Sequence, residues 1–117
     1  MIPNQAEIVL RLSELSRLLD KATDDVAVLD EQAVRAKQAA EVAEAKAYLQ
    51  AEGSIDARKA HATVQVADLV LAAELAAAQH RACRERIRTL GVQIDVGRTL
   101  SAATRNQFAA EPIGQHT

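Results

Sequence analysis

Residues 8–47 read IVLRLSELSRLLDKATDDVAVLDEQAVRAKQAAEVAEAKA, and the fold turns on the spacing of their apolar side chains. Ile8, Leu12, Leu15, Leu19, Ala22, Val26, Leu29, Ala33, Ala36, Ala40, Ala43 and Ala47 follow one another at alternating steps of four and three. That is the heptad seam of a helix packed along its length against another helix. Large side chains fill the first half of the seam and alanine fills the second. Leucine holds a partner away and alanine lets it approach, so the spacing of the two helices should narrow toward Ala47.

Working outward, the stripe stops at Ala51-Glu52-Gly53-Ser54-Ile55-Asp56. Gly53 suits the left-handed residue after a helix end, Ser54 suits the next N-cap, and Asp56 favours the positive end of a new helix. A second stripe then runs through Ala62, Val66, Leu69, Ala73, Ala76, His80, Cys83, Ile87, Leu90 and Ile94 at the same spacing. Matched across a turn at 53, the two stripes pair Ala43 with Ala62, Ala40 with Val66, Leu29 with Ala76 and Leu12 with Ile94. All such pairs have residue numbers adding to 105 or 106. Two stretches agreeing on one register point to an all-α fold, a long antiparallel two-helix hairpin of coiled-coil type. Val96, Leu100 and Ala103 continue a helical spacing, with a kink expected near Gly91 or Gly97. The reading is one domain over 1–117, with a helix at 4–51, a turn at 52–55, a helix at 56–110 ended by Pro112, and a tail at 111–117.

Composition agrees with long helices. Alanine fills 25 of 117 positions, Tyr48 and Phe108 are the only aromatics, and glycine and proline are few. The second helix also carries Val64, Ala67, Leu71, Leu75 and Ala78 away from the hairpin seam. A helix apolar on two sides needs cover on both, and one hairpin supplies only one. The expectation is therefore a homo-oligomer, with a twofold dimer forming a four-helix bundle as the simplest case.

The formal net charge of −2 excludes a generally basic nucleic-acid coat, but charge is unevenly spread. Residues 1–52 carry six basic and ten acidic side chains, whereas 81–117 carry six arginines against Glu85, Asp95 and Glu111. Arg81, Arg84 and Arg88 share a helical face, and Arg98 and Arg105 extend it. This stripe could follow a phosphate backbone, although no aromatic interleaves it to stack on bases. The competing expectation, which we favour, is pairing with the acidic first arm, with Arg84 near Asp20 and Arg88 near Glu14. Glu41 is expected to pair with Lys37 and Lys46 along its own helix.

Catalytic chemistry finds little support. His80 and Cys83 have the spacing of two metal ligands, but a zinc site needs about four, and His61 and His116 lie far along the chain. His80 reads as a polar residue setting register within the seam, and Cys83, opposite Ala22, as a buried structural cysteine. Carboxylate pairs such as Asp24 and Asp25 sit on a convex helix surface. No glycine-rich phosphate loop or nucleophile triad is present. The expectation is no enzyme, no metal and no cofactor. The N-terminus lacks the basic start and apolar core of a signal peptide, and no uncharged run reaches the roughly 18 residues that span a bilayer. With a single cysteine, this points to a soluble, cytoplasmic protein with no membrane partner.

Four stretches carry a resemblance: 51–60, from Ala51 to Ala60; 84–90, Arg84-Glu85-Arg86-Ile87-Arg88-Thr89-Leu90; 93–103, beginning Gln93-Ile94-Asp95-Val96-Gly97-Arg98; and the ending 110–117. Together they resemble a group of small helical proteins from actinobacterial phages and prophages. The resemblance implies a phage-encoded accessory protein in a bacterial cytoplasm. Small helical oligomers of that kind include recombination mediators that organise proteins on single-stranded DNA. The functions that follow are a self-associating interaction protein serving DNA replication or recombination, a virion assembly or scaffold component, or an inhibitor docking on a host protein.

Overall fold

A computed structural model of the chain describes residues 4–115, with side chains through 107. Its elements are α1 (Gln5–Gln50), α2 (Ile55–Gln65) and α3 (Ala67–Gln115), with no strand among the described residues. The fold is all-α, with α1 antiparallel to the arm formed by α2 and α3.

Local chemistry explains where α1 begins and where the chain reverses. Asn4 accepts a hydrogen bond from the Glu7 backbone N–H through Oδ1 at 2.8 Å, and its own N–H donates to Glu7 Oε2 at 3.3 Å. Reciprocal satisfaction of this kind is the capping box. At the other end Gly53 adopts φ +108°, a conformation that a side chain disfavours. Ser54 then caps α2, its hydroxyl accepting from Ala57 N–H at 3.2 Å, and Asp56 lies in the first turn.

Burial follows the heptad stripe. Every α1 position of the seam from Ile8 to Ala47 is buried or half-buried, and most of the remaining surface of α1 is exposed. On the other arm the stripe from Ala62 to Ile94 is likewise covered except at Leu69. The chain divides into two compact units, one of Asp25–Arg84 and one of Met1–Asp24 with Glu85–Thr117.

In the unit containing the turn, Ala47, Ala62 and Val66 form a buried cluster against which Ala43 and Tyr48 pack. Ala62 is only 1% exposed. A methyl group is covered that fully only when the facing helix lies directly on it, so alanine here permits close approach.

In the other unit the seam is built from larger groups, Leu15, Leu90 and Ile94, all buried. Each such side chain contributes about 1.5–3 kcal/mol on burial, so the leucine end supplies more stability per layer than the alanine end. Leu12 packs over Gly97, so close that a Cβ there would stand 2.6 Å from Leu12 Cδ2. Leu12 therefore nests beyond Ile94, the partner assigned to it by residue numbers. Knobs seat in holes between facing residues, so an assignment of direct opposites is only approximate.

Three features of the second arm differ from the expectation. Its interruption falls at Val66, where α2 and α3 meet with a bend of 58°, while α3 stays helical through Gly91 and Gly97. Thr63, Val64 and Val66 are β-branched and weak helix formers. The Thr63 hydroxyl also bonds back to the Lys59 carbonyl at 2.9 Å, as Thr23, Thr99 and Thr104 do within unbroken helices, so the bond adds to the weak local propensity without by itself making the break.

Past Ile94 Gly97, Ser101 and Thr104 are covered, with Ala102 half-buried beside them, whereas Val96, Leu100 and Ala103 are exposed. The seam there continues its four-three step through small and polar groups. Ser101 is buried with its hydroxyl accepting from Gln5 Nε2 at 3.1 Å. Finally, α3 runs past Pro112 to Gln115 rather than ending near 110. So near a helix end, proline forfeits one backbone bond instead of interrupting a long ladder. Of the expected tail, His116 and Thr117 lie outside the described residues.

Candidate interaction surface

Two sets of residues outside the seam are candidates, and α2 and α3 position both. The apolar set is exposed: Val64 is 77%, Leu71 54% and Leu75 56% accessible, with Ala67 and Ala78 also in solvent. Because the bend intervenes, Val64 belongs to α2 while Ala67, Leu71, Leu75 and Ala78 form a continuous row on α3. Heptad geometry puts Leu71 and Leu75 on the side of α3 opposite the covered residues Ala73, Ala76 and His80. Glu74, exposed, flanks this row on one side, and Arg81 follows seven residues later on the same flank. Neither makes an ion pair with a described residue.

The basic set is exposed throughout: Arg81, Arg84, Arg88, Arg98 and Arg105 all lie in solvent. Arg84, Arg98 and Arg105 recur at one heptad position, with Gly91 occupying the place between the first two. The expected pairing of Arg88 with Glu14 is absent. Arg88 binds Glu85 on its own helix at 3.5 Å, and Glu14 binds Arg11 on α1 at 3.2 Å.

The reason is geometric. Arg88 projects from the outer side of α3, and neighbours at i,i+3 are nearer than the opposite arm. Arg105 lines a hollow with Asn4, Gln5 and Ala6, none of which offers a carboxylate. Also on α1, Glu31 pairs with Arg35 at 2.9 Å; Glu41, Lys37 and Lys46 make no ion pair among the described residues.

The residues weighed for chemistry are spread apart. His80 is half-buried in the seam, with its Nε2 3.9 Å from Asp30 Oδ1, too far for a hydrogen bond. Cys83 is buried, and His61 is exposed on α2. Among the described residues no three of histidine, cysteine, aspartate and glutamate gather as a metal site would require.

The hairpin flanks do carry hollows, which the sequence did not lead us to expect. One of about 400 Å³ is floored by Ala33, Ala40, Val70 and Ala73, with Lys37 and Glu74 among its rim residues. Another of about 330 Å³ lies along Ile8, Leu12, Val96 and Leu100. Both are largely apolar.

No single helix among the described residues is long and apolar enough to cross a membrane. No protein-family model, curated protein or solved structure matches the chain.

Proposed function

We propose that this chain is a non-catalytic, self-associating helical interaction protein of phage or prophage type, whose outer α3 row joins it to a second copy. The observation that carries the reading is the exposure of Leu71 and Leu75 on a helix whose other side is already covered by α1. Leaving both leucines in water forgoes roughly 1 kcal/mol or more of burial at each. The titratable groups favour binding over catalysis, because those weighed for chemistry are scattered along the two arms. Light scattering at micromolar concentration should give at least twice the mass of one chain, and Leu71→Ser with Leu75→Ser should return it to that of one chain. A wild-type monomer at that concentration would end the proposal.

A second reading, that the assembly serves as an accessory to DNA replication or recombination, is favoured by the exposure of Arg84, Arg98 and Arg105, none of which is paired with a described carboxylate. Arginine forks at a regular spacing suit phosphate oxygens. Gel shift on single- and double-stranded DNA at low salt should show binding that weakens as salt rises. Replacing these three arginines with glutamine should weaken it further. If no shift appears at low salt, the surface serves a protein, as in a virion scaffold or a host-protein inhibitor.

A further inference from the structure

Resting on the self-association reading, we infer that two copies join antiparallel through the outer faces of α3, about a twofold axis passing between Leu75 and Ala78. Leu75 then lies against Ala78 of the partner subunit, and Leu71 against the partner's Ala82. Glu74 lies beside Arg81 of the partner subunit.

The argument starts from the row itself. Leu71, Leu75, Ala78 and Ala82 are exposed in succession at steps of four, three and four, the same alternation that builds the hairpin seam. Such a row packs on its own copy only where bulky residues meet small ones, because two leucines in one layer hold the helices apart while two alanines leave a gap. In an antiparallel pair, residues facing each other have numbers that add to a constant, so choosing one layer fixes all the others. Setting Leu75 against the partner's alanine at 78 sets Leu71 against its alanine at 82, and by symmetry the alanines receive the partner's leucines. All four layers then place a large side chain over a small one.

Charge on one flank of the row favours the same register. Glu74 and Arg81 occupy one flank of the row, a whole heptad apart, too far to pair within one helix. Each is exposed and without an ion pair among the described residues. In this register the carboxylate of one copy sits beside the guanidinium of the other, twice over because of the symmetry. Sliding the partner by one heptad, so that Leu75 meets Leu71, sets two Glu74 carboxylates against one another and loses the leucine-to-alanine match. Since the contact uses α3 alone, α1 of each copy stays on the outside, and the helices near the axis lie in a row rather than a square bundle.

Charge reversal tests the register. Sedimentation equilibrium at low ionic strength measures the dimer Kd of wild type, Glu74→Arg, Arg81→Glu and the double variant. Each single reversal puts like charges together at both symmetric positions and should weaken the dimer roughly tenfold. The double variant restores opposite charges and should recover to within about threefold of wild type. Equal effects of all three variants, or no effect of any, would overturn the register while leaving self-association intact. A monomeric wild type would overturn both. Circular dichroism of each variant at the same concentration shows that the helices persist, and loss of helicity in a single variant is answered by the milder pair Glu74→Gln and Arg81→Gln, each expected to weaken the dimer about threefold.

Discussion

Gly91 and Gly97 are both inside α3, and replacing each with alanine should move stability in opposite directions. Alanine is favoured over glycine in a helix interior by about 1 kcal/mol. At Gly91 no atom lies within 4 Å of where the new methyl would stand. The whole gain should appear, raising the midpoint of thermal unfolding by about 4 °C for a chain of this length. At Gly97 the methyl would stand 2.6 Å from Leu12 Cδ2 and 3.2 Å from Leu12 Cγ. Moving Leu12 out of its place carries an overpacking cost of about 1–3 kcal/mol. Against the propensity gain, the net effect is a loss of roughly 1 kcal/mol, and the two variants should differ by roughly 2 kcal/mol.

The assay is guanidinium unfolding followed by circular dichroism, at one fixed protein concentration because association adds to apparent stability. A double-mutant cycle with Leu12→Ala isolates the clash: in that background Gly97→Ala should turn neutral or stabilising, a coupling of about 1–2 kcal/mol. If Gly97→Ala stabilises as much as Gly91→Ala in the wild-type background, Leu12 does not pack where the hairpin places it and the account of this end is wrong.

Other outcomes follow from the same geometry. Gly53→Ala forces a side chain onto φ +108° with its Cβ 3.3 Å from that of Ala57, and should cost about 1–2 kcal/mol in the same unfolding assay. Ser54→Ala and Asn4→Ala each remove a helix cap and should cost about 1 kcal/mol, read as a lower unfolding midpoint. Leu15→Ala, at a position 3% exposed, should cost about 2–5 kcal/mol, measured against an exposed control such as Leu10→Ala that should shift stability by less than about 0.5 kcal/mol. Ala47→Cys with Ala62→Cys, in a Cys83→Ser background, should form a disulfide within one chain on mild oxidation, seen as faster migration on a non-reducing gel; only cross-linked dimers would contradict the hairpin.

The resemblance of the two stripes decides how much of this was legible. Alternating steps of four and three need no tertiary information, because a helix turns about 100° per residue and repeats its covered side accordingly. The turn was legible too, since Gly53 and Ser54 each answer a local backbone demand. The capping box at Asn4 and Glu7 is equally available as a residue pattern, three apart ahead of an apolar run. The break at Val66 was hidden because the stripe keeps its spacing across it: Ala62, Val66 and Leu69 read as one helix whether or not the axis bends. Only the structure shows that the β-branched cluster of Thr63, Val64 and Val66 ends α2 there.

The interaction surface divides in the same way. That α3 has a second apolar row is a property of its residue order, fixed before any packing occurs. Which groups continue the hairpin seam past Ile94 is not. Hydrophobicity nominates Val96, Leu100 and Ala103, but the space left beside Leu12 and Gln5 admits Gly97, Ser101 and Thr104, so volume and a hydrogen bond outweigh apolar character. The arginines show the same limit, since opposite charge on the two arms says that pairing is favourable but not within reach. Sequence alone therefore determined the helices, their direction and the residues left over, because these depend on local backbone preferences and on period. Tertiary structure decided the bend, the seating of Leu12 over Gly97 and the partners of the charges, because these depend on distances between side chains far apart in the chain.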